Sequence, residues 1–233
     1  MTDYSSRDLE VTADMPNYYS WIMEVFRPLL RGKVAEIGAG IGTFSQYLLP
    51  HVSALDLFEP SQNLLPSLNN RFNDDERVTV YNETLECALS RTEHLYDSIV
   101  MVNVLEHIED DSAALQGLWR HLNPGGHLLL YVPAMPFLYS RHDQAIGHYR
   151  RYTQQVLKER VLNAGFHIVR AQYMDVIGIL PWFLINTLGR QTTLNPSAVK
   201  LYDTVGIPLT KFIEKFITVP FGKNLIVIAQ KSI

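Results

Sequence analysis

Apolar residues recur along the chain in short β-rich runs separated by stretches with helical spacing. The runs are KVAEI (33–37), VSALDLF (52–58), VTVY (78–81), YDSIVMV (96–102) and HLLLYV (127–132). Between them, TFSQYLL, SQNLLPSLNNRF and SAALQGLWRHL carry apolar positions three and four apart, as one face of a helix requires. Strand alternating with helix predicts a parallel sheet covered on both faces. Asn123-Pro124-Gly125-Gly126 reads as a turn that ends a helix and admits the next strand. Helix resumes at Thr153, a residue suited to an N-cap, and Gly165 is placed to stop it. FHIVRAQYM and NLIVIAQK predict two more strands. The connection between them, 175–223, is long and rich in aromatics, so added helices are expected there rather than open loop. No repeat, low-complexity tract or Gly/Ser linker divides the chain, and one domain over 1–233 is the expectation.

The stretch VAEIGAGIGTF (34–44) narrows the ligand. It places a strand ending at Ile37, the run Gly38-Ala39-Gly40-Ile41-Gly42, and a helix start near Thr43. Glycine there lets the backbone turn sharply and lets a ligand approach without meeting a Cβ atom. Dinucleotide sites use GxGxxG with a pyrophosphate on the helix N-terminus; here the pattern is GxGxG, preceded by Glu36. A carboxylate below the loop suits a ligand without phosphate. Glu59 closes the next strand and so reaches the crevice at the C-terminal edge of the sheet, where an acid can accept both hydrogen bonds of a ribose diol. Together these features point to a nucleoside-type ligand and away from NAD.

Composition limits the setting. Hydrophobic residues are 47% and charged residues 19%, both typical of a chain that folds around its own core. A net charge of −4 gives no global attraction for a polyphosphate backbone, so nucleic acid is not the expected partner. Cys87 is the only cysteine, which excludes an internal disulfide and fits a reducing compartment. Residues 1–15 lack the basic start and apolar core of a signal peptide, and a cytoplasmic location is expected. The longest apolar stretch, VIGILPWFLI (176–185), is interrupted by Pro181 and too short to span a bilayer.

The combination of EIGAGIGTF, FEPSQNLL, YDSIVMVNVLEHIEDD and LNPGGHLLLYVPA resembles the class I S-adenosylmethionine-dependent methyltransferases over nearly the whole chain. The resemblance implies an α/β, Rossmann-like, seven-stranded sheet. Five strands would be parallel, ahead of an antiparallel terminal pair, with helices on both faces and a helical insertion before the last strand. It implies S-adenosyl-L-methionine as cofactor. Glu36, Gly38, Gly40 and Gly42 would shape the pocket for its methionine end, and Glu59 would take the ribose hydroxyls. Thr84 and Leu85 would lie beside the adenine, and Asn103 and Val104 under the sulfonium. Tyr18, in NYYSW (17–21), would come from a helix that closes over the cofactor; an amphipathic helix packed on the core is the other reading of that segment.

Downstream, NVLEH and PAMPFLYSRHDQAIGHYRRYT are similar to a narrower group, the bacterial methyltransferases akin to the ubiquinone-biosynthesis O-methyltransferases. The second stretch follows the fifth strand, where an open α/β sheet presents residues to its crevice. From 139 to 160 it carries Arg141, Arg150, Arg151, Lys158 and Arg160 against Asp143 and Glu159, so this edge is basic in an acidic chain. His148, or else His142, can take a hydroxyl proton near neutral pH, with Asp143 orienting it. Tyr149, Arg150 and Arg151 are expected to bind the acceptor, the arginines because positive charge at a helix start is unfavourable unless an anion meets it. His51, His94, His121 and His167 read as structural. In NVLEH, some relatives hold a divalent ion with a further glutamate at the position of Asn103; here Glu106 and His107 remain, with His142 or His148 as further candidates, two neighbouring ligands are too few, and no metal is expected.

Trp182 and the apolar side chains of 175–223 are more than a surface connection would keep wet. They could form a substrate cap, which is the first expectation and makes Trp182 an acceptor contact. They could also serve as added core, as a dimer face or as a peripheral membrane contact. The expected reaction is O-methylation of a small or lipid-like, anionic acceptor. The alternative is a protein that binds the cofactor without transferring its methyl group, as a regulatory subunit or for other chemistry.

Overall fold

The computed structural model describes residues 8–90 and 95–233, and His94 lies outside them. Helices α1 (Asp8–Ala13) and α2 (Pro16–Phe26) precede a βα alternation: β1 (Lys33–Ile37), α3 (Ser45–Leu48), β2 (Ala54–Phe58), α4 (Leu65–Phe72), β3 (Val78–Tyr81), α5 (Leu85–Leu89), β4 (Tyr96–Val102), α6 (Asp111–Arg120) and β5 (Leu122–Pro133). There follow α7 (Arg141–Ala145), α8 (Gln154–Asn163), β6 (His167–Met174), α9 (Ile179–Trp182), α10 (Pro196–Leu201), α11 (Ile207–Glu214) and β7 (Asn224–Gln230). The strands form one seven-stranded sheet in the order β3-β2-β1-β4-β5-β7-β6. The first five are parallel, and β7 is antiparallel to both β5 and β6. This is the sheet and the helical insertion that the pattern and the resemblance imply.

Central strands read as unbroken apolar runs because both faces are covered. One face packs Ile99, Met101, Leu128 and Leu130 under α6 and α8; the other packs Val34, Leu55, Val100 and Leu129 under α2. Asn123 to Gly126 are not a turn ahead of the strand. Leu122 already pairs with Tyr96, and the register then jumps to Ser98–His127, so the four residues bulge within β5. The helix expected from Thr43 begins at Ser45.

The insertion continues α9 into a π-turn over Phe183–Leu188 and joins α10 to α11 through another over Tyr202–Gly206. It is tied to the N-terminal helix from the far end of the sequence. Asp203, 2% exposed, accepts the Asn17 backbone N–H at 3.2 Å and the Tyr18 N–H at 2.8 Å, capping the start of α2.

Candidate active site

The C-terminal ends of β1, β2, β4 and β5 open into a cavity of about 1890 Å³, roofed by α1, the start of α2 and the insertion. Its wall begins at the glycine loop. Gly38 (φ +72°) and Gly40 (φ +58°) are in the left-handed region. A Cβ on Gly38 would come within 2.5 Å of the Val104 side chain, so this glycine is needed for packing the two strand ends together. Gly40 has room, and its N–H donates to Glu59 Oε2 at 2.8 Å.

Glu59 is 5% exposed and lines the cavity. Its other oxygen accepts the Ser61 N–H at 2.8 Å, and the Asn82 amide holds its carbonyl at 2.9 Å. One amide on each carboxylate oxygen fixes the group yet leaves a further lone pair on each, the pattern a vicinal diol can meet. Phe58 and Tyr81 stack at 4.8 Å behind it. Leu85 and Thr84 complete this end, although the Thr84 hydroxyl also caps α5 through Cys87 N–H.

Glu36 and Gly42 lie behind the wall. Glu36 is buried, accepts the Ser45 hydroxyl, and burial pushes its pKa up to about 8. Gly42 makes room for Leu68 and Phe72 of α4. Tyr18 meets Tyr131 edge-on at 5.6 Å and reaches the cavity beside Asn103 and Val104, which follow β4. Asn103 takes a left-handed turn (φ +54°), a conformation its short amide side chain tolerates.

At the opposite end His148 Nδ1 lies 2.9 Å from Asp143 Oδ1, and its Nε2 is 3.7 Å from Glu106 Oε1. Asp143 is fully buried. Burial alone would raise its pKa, but the hydrogen bond from His148 and the charge of Arg151 outweigh it and hold the carboxyl well below the usual carboxylate range. Nδ1–H therefore donates to an ionised Asp143, leaving the Nε2 lone pair free. Glu106 is also fully buried and neither carboxyl oxygen has a hydrogen-bond partner; burial pushes it up to about 8. His107 completes a group with Glu106 and His148 whose ligand-type atoms lie within 4.8 Å of one another.

Residues 35–128 match the sequence family described as a methyltransferase domain. Across 92–94% of the chain the fold superposes on methyltransferases of known structure; that of the S-adenosylmethionine-dependent methyltransferase from Mesorhizobium loti gives a TM-score of 0.65 at 14% identity, with 100% of that chain covered. The segment 35–128 thus resembles a methyltransferase domain, and the fold of the chain is the one seen in S-adenosylmethionine-dependent methyltransferases. The ubiquinone biosynthesis O-methyltransferase of Vibrio cholerae is 22% identical over 116 residues, 48% of this chain and 46% of that protein, so the match spans under half the length of the curated relative. The [4+2]-cyclase SpnF shares the fold at TM-score 0.61 and 16% identity, covering 93% of this chain and 81% of that one.

Around this cavity the basic cluster divides. Arg151 lines the cavity but its side chain is 2% exposed, and its guanidinium donates from Nε and Nη2 to Asp143 at 2.9 Å and lies 4.6 Å from the Trp182 ring centre. Arg150 does not reach the wall: it pairs with Asp111 at 2.7 Å and donates to the Glu109 carbonyl, so it is corrected from acceptor contact to surface brace. Tyr149 and Trp182 do line the cavity. His142 lines it too, but Nδ1 is against the Thr192 carbonyl at 3.1 Å and Nε2 is 3.4 Å from Asp8, so both nitrogens are engaged in holding the roof. Sequence reasoning missed Lys223 and Asn224, which follow the insertion; both line the cavity, and the buried Asn224 amide nitrogen has no partner. Only their place at the sheet edge marks them.

Proposed function

We propose that this protein transfers the methyl group of S-adenosylmethionine to a hydroxyl of a small or lipid-like acceptor. The observation that carries the reading is a histidine oriented by a buried aspartate on the same cavity as the glycine loop and Glu59. The volume supports it, since one ligand commonly occupies about 300–1,000 Å³ and this cavity has space for a cofactor and an acceptor together. The wall fits the cofactor: Glu59 offers two free lone pairs to a ribose, Gly40 leaves the loop open, and Leu85 offers an apolar side to a base.

When bound, the cofactor supplies an electrophilic methyl carbon on a sulfonium, and its C–S bonding pair stays with sulfur. His148 Nε2 accepts the acceptor's hydroxyl proton while the oxygen forms the new C–O bond. Asp143 holds the imidazole in the required tautomer and stabilises the imidazolium that results. Tyr149, Trp182 and the side chains of the insertion orient the acceptor and exclude water, and much of the acceleration comes from that positioning. Arg151 acts through Asp143.

Incubation with methyl-labelled cofactor is the test. Label in an ether or ester product supports the reading; cofactor binding with no labelled product would favour the alternative of other cofactor-assisted chemistry, for which the fold shared with a cyclase is the specific support. Replacing Glu59 with Ala is expected to weaken S-adenosylhomocysteine binding by about 1–3 kcal/mol in titration calorimetry. Unchanged affinity would move the ribose elsewhere.

EDTA is expected to leave methyl transfer intact. Of the two further candidates, it is His148 that joins Glu106 and His107. Yet His148 is committed to Asp143, Glu106 favours its neutral form, and Asn103 offers no charge. Activity lost to chelation and restored by Mg²⁺ or Zn²⁺ would reverse this assignment.

A further inference from the structure

The insertion faces water with its apolar side. Along the continuous helical segment from α10 to α11, Leu201, Val205, Leu209, Phe212 and Phe216 recur at spacings of four, four, three and four, one stripe of a helix. On α9 and its π-turn, Leu180, Leu184 and Leu188 do the same. All eight are 50–69% exposed. Two polar residues of the same helices point inward instead: Asp203 caps α2, and Thr210 is buried with its hydroxyl on the Gly206 carbonyl. The patch is large for a surface left in water.

Charge selects what covers it. Arg190, Lys200 and Lys215 are exposed around the stripes, Lys200 with its ammonium 3.8 Å from the exposed Asp14, and Lys211 sits beside them paired with Glu24. The acids of 175–223 are withdrawn: Asp175 and Asp203 are buried, and Glu214 is half-buried against the Val176 N–H. A second copy of this chain would present the same cations to themselves across a two-fold interface. An anionic bilayer complements them, with lysine stems lying along apolar surface and their ammonium groups among the headgroups. None of the described helices is long and apolar enough to cross a membrane, so the contact is with its surface. Leu201 and Val205 belong to the stripe and also line the cavity, so the covered face runs into the mouth of the site.

We propose that α9 to α11 seat this protein on anionic lipid, with the two leucine- and phenylalanine-rich stripes in the acyl boundary and the cavity mouth at the bilayer. The inference does not rest on methyl transfer and is read by binding alone.

The experiment is vesicle flotation of the full chain, comparing pure phosphatidylcholine with phosphatidylcholine containing about a third phosphatidylglycerol. Binding to the anionic vesicles is expected, weaker at high salt and at least about tenfold weaker for the pair Phe212→Ser and Phe216→Ser. The pair Lys200→Glu and Lys215→Glu tests charge without touching the apolar stripe and should also weaken binding. Unchanged melting and S-adenosylhomocysteine affinity would show that the variants fold. Failure of the wild-type chain to float with anionic vesicles, or flotation unaffected by both pairs, overturns the proposal. So would a wild-type dimer in light scattering that Phe212→Ser and Phe216→Ser dissolve, which would assign the face to self-association.

Discussion

Arg151→Ala is expected to destabilise the protein by about 3–5 kcal/mol, the cost of leaving a buried ion without its partner. The Arg151 side chain is 2% exposed and supplies two of the hydrogen bonds to Asp143, whose carboxylate has no access to water. With Arg151 gone, that charge must stay buried with less compensation or take up a proton. Urea unfolding monitored by tryptophan fluorescence is the measurement. A variant within about 1 kcal/mol of the parent would show that the pair is not structural and would return Arg151 to acceptor binding. The pH dependence has a definite sign. Asp143 is held below its usual pKa when folded, so it contributes stability above its unfolded pKa, and that contribution is lost as pH falls toward the folded value. The variant should lose less on acidification than the parent does. A double-mutant cycle with Asp143→Asn should show strong coupling, because the second change removes the orphaned charge.

His148→Ala is expected to lower kcat by about 10²–10⁴-fold with cofactor affinity unchanged, the range for a positioned general base. Neutral imidazole is the active form, so the rate falls as pH drops through the pKa of His148. Burial lowers that pKa; the hydrogen bond and charge of Asp143 oppose the shift without cancelling it, so the acidic limb of the kcat profile should lie below 6.5. The limb should vanish in His148→Ala and move lower in Asp143→Asn. Wild-type kcat in the alanine variant, with an identified acceptor, would mean that positioning alone accelerates the reaction. His142 is the internal comparison: its nitrogens face Asp8 and Thr192, so His142→Gln should affect the roof and leave the acidic limb in place.

What the chain determined by itself is the alternation of elements and the glycine-loop end of the cavity. The runs at 33–37 and 96–102 coincide with β1 and β4 because burial on both faces demands apolar residues throughout, and that demand is local in sequence. The glycine loop and Glu59 were legible for the same reason: a positive φ and an acid at a strand end are properties of single positions. Tertiary structure decided the rest. Arg150 and Arg151 are neighbours of the same charge, yet one stays partly exposed and pairs with the buried Asp111 while the other is buried on Asp143, since the nearest carboxylate in space differs for each. Asn123 to Gly126 carry every mark of a turn and bulge within a strand because pairing with β4 resumes beyond them. Asp203 caps a helix 186 residues away, a contact that no local pattern encodes. In the insertion, length and apolar content pointed to added helices but could not say which residues would face outward; only the packing of α10 on α1 and of α11 on α2 turns Leu201, Val205, Leu209, Phe212 and Phe216 toward water.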